Sequence, residues 1–434
     1  MRENDRKYVI ASMNSSEKDR VEYISKNMSE NGSFKFSSTQ SNDYLEKLKA
    51  RYLTYRNNWR NQPKRIINAK IDEYKIDYIP LCIDLEVAAV CDLACPHCYR
   101  QYIATPDKIM KADLVYKLID QASDIGVPSM KFNWRGEPLL HPELPKFIKY
   151  AKEKGILETI INTNATMLND KVILNILDSG LDILIYSFDG GTKKTYEKMR
   201  PGRFKENRFD QIYTNIKKFH ELRLEKKSKF PRTKIQMVLT NDTFDEVDSF
   251  YKLFENIVDD VSLKQYTERG GTFGDVGKEM QEIILKKNIK KIDDDEVFMR
   301  DLDGEIYSSK KRLPCEQPFQ RMLITYDGRV SMCCYDWGSM HPIGYVSNDT
   351  FKDDEKDYKD VLDKSQKKKK GFEMMNLELP PKFNSPERKI ETISEIWNGY
   401  EIEKVRQLHL KKKVNDVTIC KKCPFKETYE WQKI

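Results

Sequence analysis

From position 79 onward the apolar residues switch between two periodicities. The runs PLCIDLEVA (80–88), SMKFNW (129–134), LETIINT (157–163), LDILIYSF (181–188), TKIQMVLT (233–240) and DDVSLKQY (259–266) have the length and composition of buried strands. Between them, over 111–125, 143–154, 169–179, 209–227 and 244–255, apolar positions recur at three- and four-residue steps and predict helices. Gly126 with Pro128, Gly155 and Gly180 stop the first three helices. Six strand–helix units in succession predict an α/β fold, a parallel sheet with helices outside it.

The flanks read differently. Residues 1–78 form a polar N-terminal extension, and 1–43 hold few apolar groups. A helix is expected near 44–62, with Leu45, Leu48, Tyr52, Tyr55 and Trp59 on one face and Pro63 limiting it. Lys47, Arg51, Arg56 and Arg60 lie among these aromatics, a mixture that can bind RNA. A packed apolar face with a solvated charged face is the preferred reading. After the strand–helix region of 79–266 come a polar connector over 267–312 and a cysteine-rich region over 313–434. That last region holds a charged insertion near 346–391, with lysines at 367–370 read as a solvated loop. TISEIWNGYEIEKVRQLHL (392–410) predicts a late helix, in which Thr392 and Glu395 have capping-box spacing.

Composition narrows the function. Of 434 residues 33% are charged, and the net charge of +7 is small for that length, so nucleic acid is not implied as a partner. No run approaches the roughly 20 apolar residues of a membrane span, and MRENDRKYVIASMNSSEKDR has no signal-peptide core, so a cytoplasmic location is expected. Seven of the nine cysteines fall into two groups, which in such a chain points to metal rather than disulfides.

The first group, CDLACPHC, places Cys91, Cys95 and Cys98 in C-x3-C-x2-C spacing just after the first strand. Three thiolates on one loop can hold three irons of a cubane cluster and leave the fourth open to a small molecule. A zinc loop or a loop of buried thiols is the alternative. One unit later the second strand ends in NWRGEPLLHP, whose carboxylate and strand-end carbonyls can accept hydrogen bonds from an ammonium. The fourth strand ends in SFDGG, with Ser187 and Asp189 on one side. The third ends in NTN, where Asn162 and Asn164 line the mouth or form a turn.

The cysteine triplet and the Gly136-Glu137-Pro138 turn resemble the radical SAM superfamily over roughly residues 80–266. The resemblance implies a partial (β/α)6 TIM-like barrel with its active site at the C-terminal strand ends. It implies a 4Fe–4S cluster on Cys91, Cys95 and Cys98 and S-adenosylmethionine bound beside it. His97 fills the place of the family's aromatic residue, and Arg135 replaces the first glycine of the family's Gly-Gly-Glu-Pro turn. The turn is implied to hold the methionine amino group. Ser187, Asp189 and Asn164 are further candidates for cofactor contact.

The second group, Cys315, Cys333, Cys420 and Cys423, includes the pattern CEQPFQRMLITYDGRVSMC with Gly328 in a hairpin turn. It resembles the single-cluster Twitch form of the SPASM domain, and implies an auxiliary 4Fe–4S cluster, with zinc as the alternative. Cys82 and Cys334 are left as ordinary buried thiols. The resemblance implies reductive cleavage of S-adenosylmethionine, a 5′-deoxyadenosyl radical and hydrogen abstraction from a substrate C–H bond. The favoured reaction is oxidation of a sugar- or cyclitol-like small molecule, as in the Twitch enzyme that oxidises an amino-cyclitol alcohol. The auxiliary cluster would accept the second electron, and flavodoxin or ferredoxin would donate the first. Asp336 and Arg269 are candidates for the proton-handling groups. A peptide- or protein-modifying maturase is the enzymatic alternative, and a metal-held scaffold or electron carrier the non-enzymatic one.

Overall fold

The computed structural model describes residues 50–59, 62, 65, 79–98, 100, 105–265, 298–300, 306–339, 341–348, 389–421, 423 and 427–433. Arg269, Leu45, Leu48, Lys47, Arg60 and Pro63 lie outside these residues, as do most of the expected connector and of the charged insertion.

All six expected strands are present: β1 (Cys82–Leu85), β2 (Ser129–Lys131), β3 (Glu158–Thr163), β4 (Ile183–Ser187), β5 (Arg232–Leu239) and β6 (Asp260–Gln265). They pair in sequence order and in parallel. Helices α1 (Ala112–Asp124), α2 (Leu144–Glu153), α3 (Asp170–Asp178), α5 (Phe209–Glu225) and α6 (Val247–Phe254) lie within a few residues of their expected bounds. A short helix, α4 (Lys193–Met199), was not foreseen.

Strand alternation sorts the side chains onto two faces. Ile83, Leu85, Met130, Phe132, Ile161, Leu184, Tyr186, Ile235 and Met237 join the helices in one large core. The opposite face carries Ile160, Ile183 and Ile185 as a separate small cluster, and buried polar groups such as Asp84, Glu86, Asn133 and Ser262. A parallel sheet with one face under helices and the other lined by polar groups is a partial barrel with a hydrophilic lumen.

The sheet does not stop at β1. After the one-turn helix α7 (Gln317–Gln320), strand β9 (Arg321–Ile324) pairs with β1 in parallel, setting Ile83 opposite Met322. Strands β10 (Arg329–Ser331) and β11 (Pro342–Tyr345) extend it antiparallel, giving nine strands. Thr325–Arg329 closes the expected hairpin, with Gly328 at φ +89°. Elsewhere the sequence reading needs correction. Part of the polar connector forms β7 (Phe298–Arg300) and the start of β8 (Ile306–Pro314), which pair with each other and with β12 (Glu427–Lys433) in a second sheet. The unbroken polar run 308–312 (SSKKR) hid the strand periodicity of β8, and β7 is only three residues long. The late helix divides at Asn398–Gly399 into α8 (Ile393–Trp397) and α9 (Tyr400–Leu410), and the Thr392–Glu395 capping box is present.

The N-terminal helix, 50–59, docks at the N-terminal ends of the strands. Tyr52 and Tyr55 are buried and donate to the carboxylate of Glu158, each at 3.1 Å. Arg56 is not on a solvated face. It is buried, with its guanidinium over the Tyr55 and Trp59 rings. This seals the barrel at the end opposite the cysteine loop.

Candidate active site

The loop of Cys91, Cys95 and Cys98 leaves the C-terminal end of β1 and is clasped by the segment after α4. The Ala94 N–H donates to the Pro201 carbonyl at 2.8 Å, and the Arg203 N–H donates to the Asp92 carbonyl at 2.8 Å. Leu93 and Gly202 form an isolated bridge between them. Burial pushes the Cys91 thiol up to about 12 and the Cys95 thiol higher still, and all three sulfurs lie within electrostatic reach of one another. Such thiols ionise when a metal takes the place of the proton. Among the described residues no three His, Cys, Asp or Glu side chains close on a single-ion position. What stands here is a soft, all-sulfur donor set, which fits an iron–sulfur cluster.

The Gly136-Glu137-Pro138 turn packs directly behind this loop. Gly136 has φ +70°, and a Cβ there would lie 2.4 Å from the Ala88 carbonyl oxygen and 2.6 Å from that of Val90, so only glycine fits. The Glu137 N–H donates to the Val90 carbonyl at 2.8 Å. Replacement of the preceding glycine by Arg135 therefore leaves the turn intact. Pro138 opens a 3₁₀ turn, Pro138–Leu140, capped by the Glu137 side chain. The buried Glu137 carboxylate accepts from Thr163 Oγ1 (2.7 Å), the Asn164 N–H (2.7 Å) and the Leu139 N–H (3.1 Å). Burial raises its pKa to about 7 despite those donors.

Asn164 connects turn and loop. Its side-chain amide donates to Asp92 Oδ1 at 2.8 Å and points at the Cys91 sulfur, 3.9 Å away, while its backbone binds Glu137. Asn162, two residues earlier, shares the lumen face with Ile160, and its Oδ1 is buried with no hydrogen-bond partner among the described residues.

Ser187 is half-buried at the end of β4. Asp189 is fully buried and engaged by protein groups: the Val238 N–H (2.7 Å), Arg200 (2.7 Å) and His97 Nε2 (3.2 Å). Burial would push its carboxyl up, but Arg200 and His97 hold it well below the usual carboxylate range. The sequence reading missed Arg200, because the helix that delivers it was missed.

Arg135 forms a buried two-point pair with Glu86, Nε to Oε1 at 2.5 Å and Nη2 to Oε2 at 2.8 Å. It also donates to the Trp337 carbonyl, and its guanidinium lies over the Trp134 ring. Trp134 meets Trp337 edge-on at 5.4 Å, and its indole N–H donates to the Cys334 carbonyl at 3.0 Å. These contacts tie the end of β2 to the second cysteine region.

There, Cys315 follows β8, Cys333 follows β10, Cys420 lies in a short helix, and the Cys423 N–H donates to the Cys420 carbonyl at 3.1 Å. Burial raises the Cys315 thiol to about 12, with Cys423 and Cys334 beside it. Cys333 is raised well above the ordinary value, with Cys334, Asp336, Cys315 and Cys420 around it. Four thiols from three segments thus face one another, a second all-sulfur donor set that fits a cluster. Cys334 borders this site, and Cys82, at the start of β1, lies 3.9 Å from the Arg321 guanidinium, whose charge also reaches Cys334. Asp336 is fully buried, and its Oδ2 accepts from Ser331 Oγ (2.9 Å) and the His341 N–H (2.8 Å). It organises the loop after Cys333. His409, on α9, was not singled out from sequence. Its Nε2 lies 3.4 Å from the Cys420 sulfur, and burial pushes its imidazole down to about 4.

Comparison with known proteins bears on both sites. Residues 85–254 match the radical SAM superfamily, and residues 315–373 match SPASM, an iron–sulfur cluster-binding domain. The chain is 31% identical over 108 residues to the tungsten-containing aldehyde ferredoxin oxidoreductase cofactor-modifying protein of Pyrococcus furiosus, covering 24% of this chain and 30% of that protein. It is 26% identical over 137 residues to the GTP 3′,8-cyclase of Chlorobaculum tepidum, covering 32% of this chain and 39% of that enzyme. The matched region thus spans about a third of these relatives' length. Among solved structures, BtrN in complex with AdoMet and 2-DOIA is similar at a TM-score of 0.41 and 14% identity, over 80% of this chain and 94% of that one. The two domains imply two 4Fe–4S clusters and S-adenosylmethionine, and both donor sets fit the clusters.

Proposed function

We propose, on the premise that this chain is a radical SAM protein with a C-terminal SPASM-type iron–sulfur domain, that it is an oxidoreductase acting on a polar small molecule of sugar or cyclitol type. When bound, the clusters and S-adenosylmethionine supply reductive C5′–S cleavage, a hydrogen-abstracting 5′-deoxyadenosyl radical and a sink for a second electron.

The observation that carries the reading is the Asn164 junction. One residue fixes the three-thiol loop through Asp92 and the Glu137 carboxylate through its backbone. A cation held at Glu137 is thereby kept beside the cluster loop. Cys91, Cys95 and Cys98 would hold the first cluster. Gly136, Glu137 and Pro138 would seat the methionine amino group, and Ser187, half-buried on the lumen side, would meet the ribose or carboxylate. Asp189 and His97 act on the loop itself.

Oxidation is supported by the link between the two thiol sets. Strand β9 pairs with β1, and the Trp134–Trp337 contact joins the turn to the loop after Cys333. A substrate losing one hydrogen atom, then one electron and one proton, would find an electron acceptor on the same sheet. Asn162 and the other polar groups of the lumen suit a substrate rich in hydroxyl or amino groups. A flavodoxin or ferredoxin would supply the reducing electron, in a cytoplasmic setting. No helix of the described residues is long and apolar enough to cross a membrane.

The test is the double variant Cys420→Ala, Cys423→Ala under a strong reductant. It should still form 5′-deoxyadenosine but no oxidised product. Normal yield of oxidised product would remove the auxiliary site from electron transfer and favour a redox-neutral reaction.

A further inference from the structure

The imidazole of His409 has no place in the chemistry described so far. It projects from α9 into the auxiliary site, 3% exposed, with Nε2 3.4 Å from the sulfur of Cys420. Its other nitrogen, Nδ1, is buried without a hydrogen-bond partner among the described residues. The ring therefore makes one polar contact among the described residues, and that contact is to a cluster-type thiol. A buried polar group is costly unless its bonds are made, so packing alone would favour an apolar residue here.

The direction of the bond follows from the sulfur. A thiolate bound to iron has no proton to give, so it can only accept, and Nε2 must carry the hydrogen. Helix α9 fixes the ring against Cys420, and Val405 and Ile402 of the same helix are buried in the core. The bond is thus built into the fold. A hydrogen bond to a ligating sulfur withdraws charge from it and stabilises the more negative, reduced cluster, which raises the reduction potential.

We infer that His409 is a positioning residue for the auxiliary cluster, donating from Nε2 to the Cys420 thiolate and making that cluster a better electron acceptor. This rests on the reading of Cys315, Cys333, Cys420 and Cys423 as a cluster site. Within that reading it names the group that biases electrons toward the auxiliary site.

The experiment is an anaerobic redox titration followed by electron paramagnetic resonance on the reconstituted full chain. Wild type is compared with His409→Phe, which removes the donor, and His409→Gln, which keeps an N–H. His409→Phe should move the auxiliary midpoint to a more negative potential and leave the midpoint of the Cys91–Cys98 cluster in place. His409→Gln should restore most of the loss. An unmoved auxiliary midpoint in His409→Phe, with both clusters loaded, overturns the inference. The wild type gives an independent check. With histidine labelled by the heavy nitrogen isotope, double-resonance spectra of the reduced auxiliary cluster should show a histidine nitrogen coupling, and its absence overturns the inference even if His409→Phe loses the cluster. A wild-type protein holding iron only at Cys91, Cys95 and Cys98 overturns the cluster reading itself, and the inference with it.

Discussion

His97 Nε2 stands 3.2 Å from Asp189 Oδ2, so the residue before the third cysteine of the first loop is tethered to the end of the fourth strand. Arg200 closes the group from the other side at 2.7 Å. The loop is therefore held from below by the Gly136 turn and from the side by a buried charge cluster.

Asp189→Ala leaves Arg200 buried without its carboxylate. Breaking a buried pair in this way costs about 3–5 kcal/mol. Chemical denaturation should show a loss of that size, and the variant should retain less iron at the first loop. Because the Asp189 carboxyl is held low, its contribution is present at neutral pH and disappears as pH falls toward its folded value. The wild type should thus lose stability on acidification more steeply than the variant.

Arg135 and Glu86 form a second buried pair, and a double-mutant cycle isolates it. Arg135→Gly restores the residue usual in the family but strands the Glu86 carboxylate, at a cost of about 3–5 kcal/mol. Adding Glu86→Ala should recover a large part of that loss. Strict additivity of the two single changes would contradict a direct pair.

These contacts mark the boundary of what the sequence discloses. The cysteine triplet, the Gly-Glu-Pro turn and the six strands with the five expected helices between them are legible because ligand spacing and periodicity are local properties. Arg200 was hidden because its role depends on α4 turning back over the loop, a contact between residues 94 and 201. Glu86 read as an ordinary strand position, because its partner lies 49 residues away. His409 belongs to the same class: nothing near it in the chain announces Cys420. Strand β8 was lost to its consecutive serines and lysines, whose polarity masks alternation, and β7 to its length of three residues.

Glu137 makes cofactor binding depend on pH. Unliganded, it holds its proton up to about 7 rather than its ordinary 4.5. The folded chain binds more protons than the unfolded chain across that window, so this group makes folding less favourable as pH rises from about 4.5 to 7, and no further above it. An ammonium reverses the preference, because it favours the carboxylate. Affinity for S-adenosylmethionine should rise with pH up to about 7, then fall as an α-amino group of pKa roughly 7.7–8.0 loses its charge. In Glu137→Gln the rising limb should vanish, and affinity should drop more than tenfold, on the basis of roughly 1.5–3 kcal/mol for a hydrogen bond to a charged group. Calorimetric titration at several pH values reads both effects. An identical pH profile in the variant would remove Glu137 from the amino-group site.

The central claim is that the two thiol sets hold iron–sulfur clusters and that the first of them cleaves S-adenosylmethionine. The most direct measurement is iron content together with 5′-deoxyadenosine formation after anaerobic reconstitution and reduction. The account predicts about eight irons per chain, about four for each cubane cluster, and reductive formation of 5′-deoxyadenosine. Replacing Cys91, Cys95 and Cys98 by Ala should remove about half the iron and all of the cleavage. Stoichiometric zinc with no iron, or 5′-deoxyadenosine formation that survives the triple replacement, would contradict it.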